Sequence, residues 1–173
     1  MRTGLGKVLL ALMLMAVGVM GLAQFAQGQG TAGTVLTVAD TTKLLPASVF
    51  FRGQSATVQV RNSGGVKFND GMFVLATLVD TSGYSSDVQA KYQAYFINEV
   101  AIKIEGHELP AGIYGVGFIP DSKFIVLDVG AHDLFTVTSK NDGDLKRPTP
   151  LKVVAAKDGF RLYAGRNYVT FTR

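Results

Sequence analysis

The sequence contains no cysteine and no tryptophan, and only two of its 173 residues are histidine. Without cysteine the chain can form no disulfide, perform no thiol chemistry and carry no lipid on an N-terminal cysteine. Small secreted domains commonly use disulfides when their core is too small, so this chain must be stabilised by apolar burial alone. Hydrophobic residues make up 47% of the chain, which agrees with that requirement.

Charged residues are also sparse, at 17% of the chain. The basic residues are scattered singly along the sequence, and the one close group is Lys146-Arg147 beside a proline. Nucleic-acid-binding proteins carry clustered basic residues on one face or stripe. The composition therefore argues against a nucleic-acid partner.

The longest hydrophobic run lies at the N-terminus. Arg2 and Lys7 precede an uncharged apolar stretch over residues 8–22, and Gly21 and Ala23 supply small residues at the two positions that a signal peptidase reads, which is the pattern of a secretory signal. The run is shorter than the roughly 20 residues that a membrane-spanning helix needs. We predict a signal peptide over residues 1–23, a secreted or periplasmic location, and no stable membrane span after cleavage. Later cleavage and retention as an uncleaved anchor are the alternatives.

Removal of the signal changes the charge of the chain. Of the 17 basic residues two belong to the signal, which leaves 15 against 13 acidic residues and a net charge of +2. Residues 24–33 are polar and rich in glycine, as expected for a flexible linker. Residues 34–173 have a length that suits one domain with one core.

Short apolar stretches with strand periodicity dominate residues 34–173. Residues 35–39 alternate, as do residues 57–61, and alternation predicts a half-buried strand. Residues 71–79 are almost continuously apolar, which predicts a central strand buried on both faces. Residues 87–93 carry good helix formers behind two serines, and they are the only helix that we predict in the mature chain.

Turn signals separate these stretches. Asn62-Ser-Gly-Gly65, Pro120-Asp-Ser-Lys123 and Asp158-Gly159 each predict a tight turn, and residues between 130 and 150 read as a polar connection. The expected fold is all-β: one small antiparallel β-barrel or β-sandwich of about 8–10 strands with one short helix.

A resemblance supports the β assignment. Leu109-Pro-Ala-Gly-Ile-Tyr114, followed by Ile119-Pro120, resembles a Leu-Pro-Ala-Gly-x-Tyr hairpin of uncharacterised secreted bacterial β-proteins. The resemblance implies a turn followed by a strand whose tyrosine packs on one face. It implies no catalytic residue and no ligand.

Residues with catalytic or metal-binding chemistry are few. His107 and His132 lack the paired spacing of a metal site, and we expect both to be partly solvated, so no metal and no cofactor is predicted. The residue types of a hydrolytic triad are present as Ser139, His132 and Asp133. The sequence lacks the nucleophile-elbow motif that would support such a triad. Gly115 and Gly117 lie on one strand face, where we expect close packing or a bend. A gap through which a ligand approaches the backbone is the alternative.

The connection over residues 80–98 is the predicted functional surface, because a loop and helix there exceed what the sheet requires. Tyrosine offers a large contact area with a polar tip. Packing of the helix onto the sheet is the competing explanation. We expect Tyr84 and Tyr92 to be partly exposed inside a polar rim, and the candidate surface for a partner or ligand consists of Tyr84, Ser85, Ser86, Lys91, Tyr92 and Tyr95.

Three functions compete on this evidence. The first is an exported, non-catalytic β-domain that serves as a protein-interaction or structural component of the cell envelope, with an unknown protein partner. The second is a lipocalin-like carrier of a small apolar ligand, since an eight-stranded barrel can hold one. The third, a hydrolase-type enzyme, has the least support.

Overall fold

The computed structural model describes residues 32–173. The predicted signal peptide, residues 1–23, and linker residues 24–31 lie outside the described residues. Within the described part the chain forms fourteen strands and two helices, in the order β1 (Gly33–Val35), α1 (Val38–Leu44), β2 (Ser48–Phe51), β3 (Gln54–Phe68), β4 (Phe73–Val79), α2 (Ser86–Gln89), β5 (Ala94–Asn98), β6 (Ile102–Ile104), β7 (His107–Leu109), β8 (Gly112–Ile119), β9 (Lys123–Leu127), β10 (Asp133–Thr138), β11 (Lys140–Asn141), β12 (Thr149–Ala156), β13 (Gly159–Gly165) and β14 (Asn167–Thr172).

The strands form two antiparallel sheets. The larger sheet has the order β1-β3-β4-β5-β8-β9-β10, with β2 paired to β3; the smaller has the order β12-β13-β14-β6-β7, with β11 paired to β14. The predicted antiparallel β fold is confirmed. The sheets stay separate and do not close, so the barrel alternative is wrong, and the described part has more strands and one more helix than predicted.

The two sheets share a hydrophobic core. Side chains from both sheets face it, among them Phe96 and Val126 from the larger sheet and Leu162 and Phe171 from the smaller one. Burial of such side chains is the main stabilising contribution to a cysteine-free domain. A cavity between the sheets, lined by Val116 and Leu162 among others, measures only about 10 Å³.

A second cluster covers the opposite face of the larger sheet. Phe51 of β2 and residues of the connection that carries α2 pack there against Tyr95, Ile125 and Leu127. The middle strands of this sheet are therefore apolar on both faces, as the continuous run in residues 71–79 predicted. β4 lies between β3 and β5, which confirms its central position.

The prediction of a strand over residues 35–39 is wrong beyond Val35, because β1 ends at that residue. The Thr37 side chain accepts a hydrogen bond from the Asp40 amide, the Asp40 carboxylate accepts one from the Thr37 amide, and α1 follows. This capping box satisfies amides that a helix start leaves open. It outweighs the short alternation of apolar residues.

The predicted turn at residues 62–65 is also wrong, because β3 runs through it. The register between β3 and β4 shifts between Gln59 and Ser63, which marks a bulge. The two glycines permit close approach rather than reversal: a Cβ at Gly64 would lie 2.7 Å from the Val153 amide nitrogen, and one at Gly65 would lie 2.5 Å from the Val74 carbonyl oxygen. β3 thus reaches β12 of the other sheet.

Two other predicted turns are confirmed. Asp121 and Ser122, both with positive φ, join β8 to β9. Lys157 and Asp158 join β12 to β13, and Gly159 follows with φ 136°. The prediction of a polar connection between residues 130 and 150 is wrong in part, because β10 and β11 lie within it.

The segment that carries the resemblance passes between the sheets. Residues 110–111 connect β7 of the smaller sheet to β8 of the larger sheet, so the segment is a crossover and not a hairpin. The buried Asn98 amide donates hydrogen bonds to the carbonyls of Pro110 and Val100, and the Tyr114 hydroxyl also donates to Pro110. The predicted strand after the glycine is confirmed as β8.

Candidate functional site

The three tyrosines of the predicted surface are buried, so the expected exposure is wrong. Tyr84, Tyr92 and Tyr95 are 6%, 0% and 7% exposed. The Tyr92 ring stacks on Phe51 at a centroid distance of 3.8 Å, and the Tyr84 hydroxyl donates to the Phe51 carbonyl. α2 is only one turn long, so the connection lies flat on the sheet and its aromatic side chains enter the second cluster.

The polar residues predicted around the tyrosines do lie outside. Ser85 and Ser86 are exposed, and Lys91 is half-buried with its ammonium 2.7 Å from the Asp133 carboxylate. They surround α2 without an aromatic centre. Partner binding through these residues remains a prediction.

Gly115 and Gly117 are closely packed, which contradicts the alternative of an open approach to the backbone. A Cβ at Gly115 would lie 2.6 Å from the Phe51 ring, and one at Gly117 would collide with the Lys91 carbonyl. The glycines are needed there because the second cluster lies directly on β8.

The histidines are exposed, as predicted. The His107 ring stacks on Phe135, and the His132 ring lies within hydrogen-bond distance of Asp128. Hydrogen bonds from His132, the backbone amide first, hold the pKa of Asp128 below its usual value. The hydrolytic triad of Ser139, His132 and Asp133 is not assembled. His132 contacts Asp128 instead, and Asp133 contacts Lys91. Residues 32–173 contain no group of three metal-ligating side chains placed to hold an ion.

A more promising surface lies on the outer face of the smaller sheet. Val153, Leu162 and Val169 form a cross-strand row that faces the core. Their neighbours along each strand must point outward, because side chains alternate across a sheet. The outward row runs over four strands, and with one further residue it forms what we call the cation–tyrosine face: Lys140, Lys152, Arg161, Tyr163 and Tyr168.

The side chains of this face stack on one another. The ring centroids of Tyr163 and Tyr168 are 5.0 Å apart, the Lys152 ammonium lies 5.1 Å from the Tyr163 centroid, and the Arg161 guanidinium lies 4.6 Å from that of Tyr168. Such contacts are favourable because a cation is attracted to the negative face of a ring. The Tyr163 hydroxyl donates to Asp142, and burial raises the pKa of that phenol.

Only part of the positive charge of the face is neutralised within the chain. Lys140 is 2.7 Å from Glu105, and this hydrogen bond raises the pKa of the Lys140 ammonium. Arg161 has only a long contact of 3.9 Å with Asp158. No ion pair within residues 32–173 involves Lys152.

Two buried polar atoms of this region lack a partner among the described residues. They are the Arg161 Nε and the Thr170 Oγ1, and the two residues are cross-strand neighbours between β13 and β14. Buried polar groups are normally hydrogen-bonded, so such a pair needs an explanation.

A groove lies at the open end of the β6–β7 hairpin. Its volume is about 240 Å³, and its lining is mostly apolar, including Ala101, Ile102, Leu109 and Pro110, with Arg173 at the side. It is smaller than a typical site for a drug-sized ligand.

No family model, curated protein or solved structure matches this chain. Between residues 32 and 173, no helix has both the length and the apolar character needed to cross a bilayer.

Sequence reasoning missed the cation–tyrosine face although the apolar pattern predicts three of its four strands, over residues 151–156, 160–164 and 168–172. In β12, Lys152 alternates with core residues, and in β13 Arg161 and Tyr163 do the same. This alternation can be read directly from the amino-acid sequence. The position of Lys140 on this face could not be predicted from alternation, because only the long-range pairing of β11 with β14 places Lys140 beside Tyr168.

Proposed function

We propose that this chain is an exported, non-catalytic binding module, located in the periplasm or secreted, that acts as a protein-interaction or structural component of the cell envelope. The observation that carries the proposal is the cation–tyrosine face. Its side chains stack in fixed positions on a regular sheet: Tyr163 is buried at 3% exposure, while Lys152, Arg161 and Tyr168 remain partly exposed around it. A partner would therefore meet a preorganised surface.

The residue types of the face suit protein recognition. Tyrosine and arginine are enriched at protein interfaces and among the residues that dominate binding energy. Tyr168 is half-buried by its neighbours, so little conformational entropy is lost when a partner covers it.

The test compares capture of envelope proteins by variants of two surfaces. Tyr168→Ala and Lys152→Glu should each lower recovery of a specific partner about tenfold or more, as expected for central interface residues. Ser86→Glu, on the exposed surface around α2, should leave recovery unchanged. Melting temperatures establish that each variant is folded. If Ser86→Glu is the one variant that loses capture, the binding surface lies around α2 and not on the cation–tyrosine face.

The groove favours a second candidate function, binding of a small apolar ligand. Because the sheets do not close, such a ligand would lie in the surface groove and not inside a barrel. Mass spectrometry of lipid extracts from purified protein tests this alternative. Ala101→Trp, at an exposed position of the groove wall, should abolish co-purification of the ligand if the groove holds it.

A further inference from the structure

We infer that Arg161 forms a carboxylate-binding subsite within the cation–tyrosine face, and that the partner presents an acidic protein surface to it. This inference rests on the proposed function and specifies the chemistry of the partner.

The first argument concerns the guanidinium of Arg161. It lies over the Tyr168 ring, and its Nε–H has no acceptor among the described residues. Asp158, its nearest carboxylate, is 3.9 Å from Nη2, which is beyond hydrogen-bond distance. A carboxylate usually binds arginine through two parallel N–H groups. The Arg161 side chain is 32% exposed but its Nε is shielded from solvent, so a partner carboxylate reaches Nε only after a rotation of the side chain.

The second argument concerns the groups around Arg161. The Lys152 ammonium is in no ion pair within residues 32–173 and lies over Tyr163, next to Tyr168. Thr170 is only 8% exposed and is the cross-strand neighbour of Arg161. Its hydroxyl also lacks a partner among the described residues. Arg161 and Thr170 thus place an unpaired N–H and an unpaired hydroxyl on neighbouring strands beneath the surface, and the Lys152 ammonium lies on the same face of the sheet.

The third argument concerns the class of partner. The row from Lys152 to Lys140 crosses three strand spacings, about 14 Å, which is the scale of an interface core and not of a single ion site. Its two lysines lie at the ends of the row and flank the stacked rings of Tyr163 and Tyr168, so the row is not a continuous basic stripe. This combination favours a protein surface with isolated acidic side chains among apolar ones over a uniformly charged polymer.

The probe is a short synthetic peptide in which glutamate alternates with leucine, titrated into the purified protein and followed by amide chemical shifts. We expect shifts concentrated in β13 and β14. Arg161→Gln should weaken binding about tenfold, because a hydrogen-bonded charge contact is worth roughly one factor of ten or more. Arg161→Lys should weaken it nearly as much, since lysine keeps the charge but loses the paired N–H groups.

Lys123→Gln is the matched control, because it removes one exposed positive charge from the larger sheet. It should change affinity less than about twofold, as expected for a screened, distant charge. Equal affinity of Arg161→Gln and the parent would overturn the subsite, as would shifts located elsewhere. Tighter binding of polygalacturonate than of the peptide would overturn the partner class.

Failure of this inference is distinguishable from failure of the proposed function. If envelope capture depends on Tyr168 while the peptide does not respond to Arg161, the face binds a partner of different chemistry. If capture is independent of Tyr168, the proposed function itself is wrong.

Discussion

Individual side chains in the second cluster differ sharply in how their polar atoms are satisfied. Tyr84 and Tyr92 pack edge to face, 5.6 Å apart, and both are buried. The Tyr84 hydroxyl has the Phe51 carbonyl as acceptor, whereas the Tyr92 hydroxyl has no partner among the described residues. Burial, and then the nearby hydroxyls, raise the pKa of Tyr92.

This contrast predicts opposite effects of one chemical change. Tyr92→Phe removes an unsatisfied buried hydroxyl and should increase the free energy of unfolding by about 1 kcal/mol. Tyr84→Phe removes the buried hydrogen bond to the Phe51 carbonyl and should decrease the free energy of unfolding by about 1 kcal/mol. Urea denaturation measures both. A loss of stability in Tyr92→Phe would show that its hydroxyl has a partner, such as a buried water.

Gly159 combines a positive φ with close contacts at its Cβ position. Its φ of 136° is strained for other residues, and a Cβ would lie 2.5 Å from the Phe171 carbonyl oxygen. Gly159→Val should therefore cost about 1–3 kcal/mol from conformation alone, with the steric contact adding to it. Gly143→Val, in a loop with open space around the Cβ position, is the control. Equal melting temperatures for the two variants would contradict the turn geometry.

At the level of elements, local hydrogen bonds decided structure where apolar periodicity did not. α1 begins at a capping box, although the residues before it alternate like a strand. β3 continues through Asn62-Ser-Gly-Gly65 because its glycines lie against β4 and β12, contacts that a local pattern does not contain. By contrast, the hairpin turns at residues 120–123 and 157–159 were predictable, because their chemistry is local.

The capping box can be tested with two threonines of the same helix. Thr37→Ala removes the side chain that accepts from the Asp40 amide and should cost about 1 kcal/mol. Thr42→Ala, at an exposed position inside α1, should be neutral or slightly stabilising because alanine has the higher helix propensity. Thermal denaturation distinguishes the two. The assignment of Thr37 as the cap would fail if both variants behaved alike.

At the level of the whole molecule, several carboxylates stabilise the folded chain only when ionised. Hydrogen bonds hold the pKa values of Asp40, Asp70 and Asp128 below the usual value of 3.8. A lowered pKa in the folded state stabilises fully above the unfolded pKa, and this contribution is lost as the pH falls through the folded pKa. Asp70 is exposed and Asp40 and Asp128 are partly exposed, so solvent screens each effect.

The melting temperature should therefore be level from pH 7 to about 5 and fall below about pH 4. Asp70→Asn, which removes the acceptor for Arg173, should reduce the size of that fall. Asp144→Asn, in an exposed loop, should leave the pH profile unchanged. A fall of equal size in the parent and Asp70→Asn would indicate that other carboxyls dominate.

Export is a second property of the whole molecule that can be measured directly. Protein recovered from the periplasm or the medium should begin at Gln24 or within a few residues of it. Leu14→Arg interrupts the apolar run and should leave the protein in the cytoplasm with its N-terminus intact. N-terminal mass spectrometry reads both results. Mature exported protein that retains Met1 would contradict the signal prediction.

The antiparallel β class, the central position of residues 71–79 and the hairpin turns of the second half could be predicted from the amino-acid sequence. These features follow from side-chain periodicity and turn chemistry, which act over a few residues. The separation of the two sheets, the burial of Tyr84 and Tyr92, and the shared face of Lys140, Arg161 and Tyr168 became visible only in the folded chain. Each of these depends on pairing between distant segments, and local patterns carry no information about which strand becomes the neighbour.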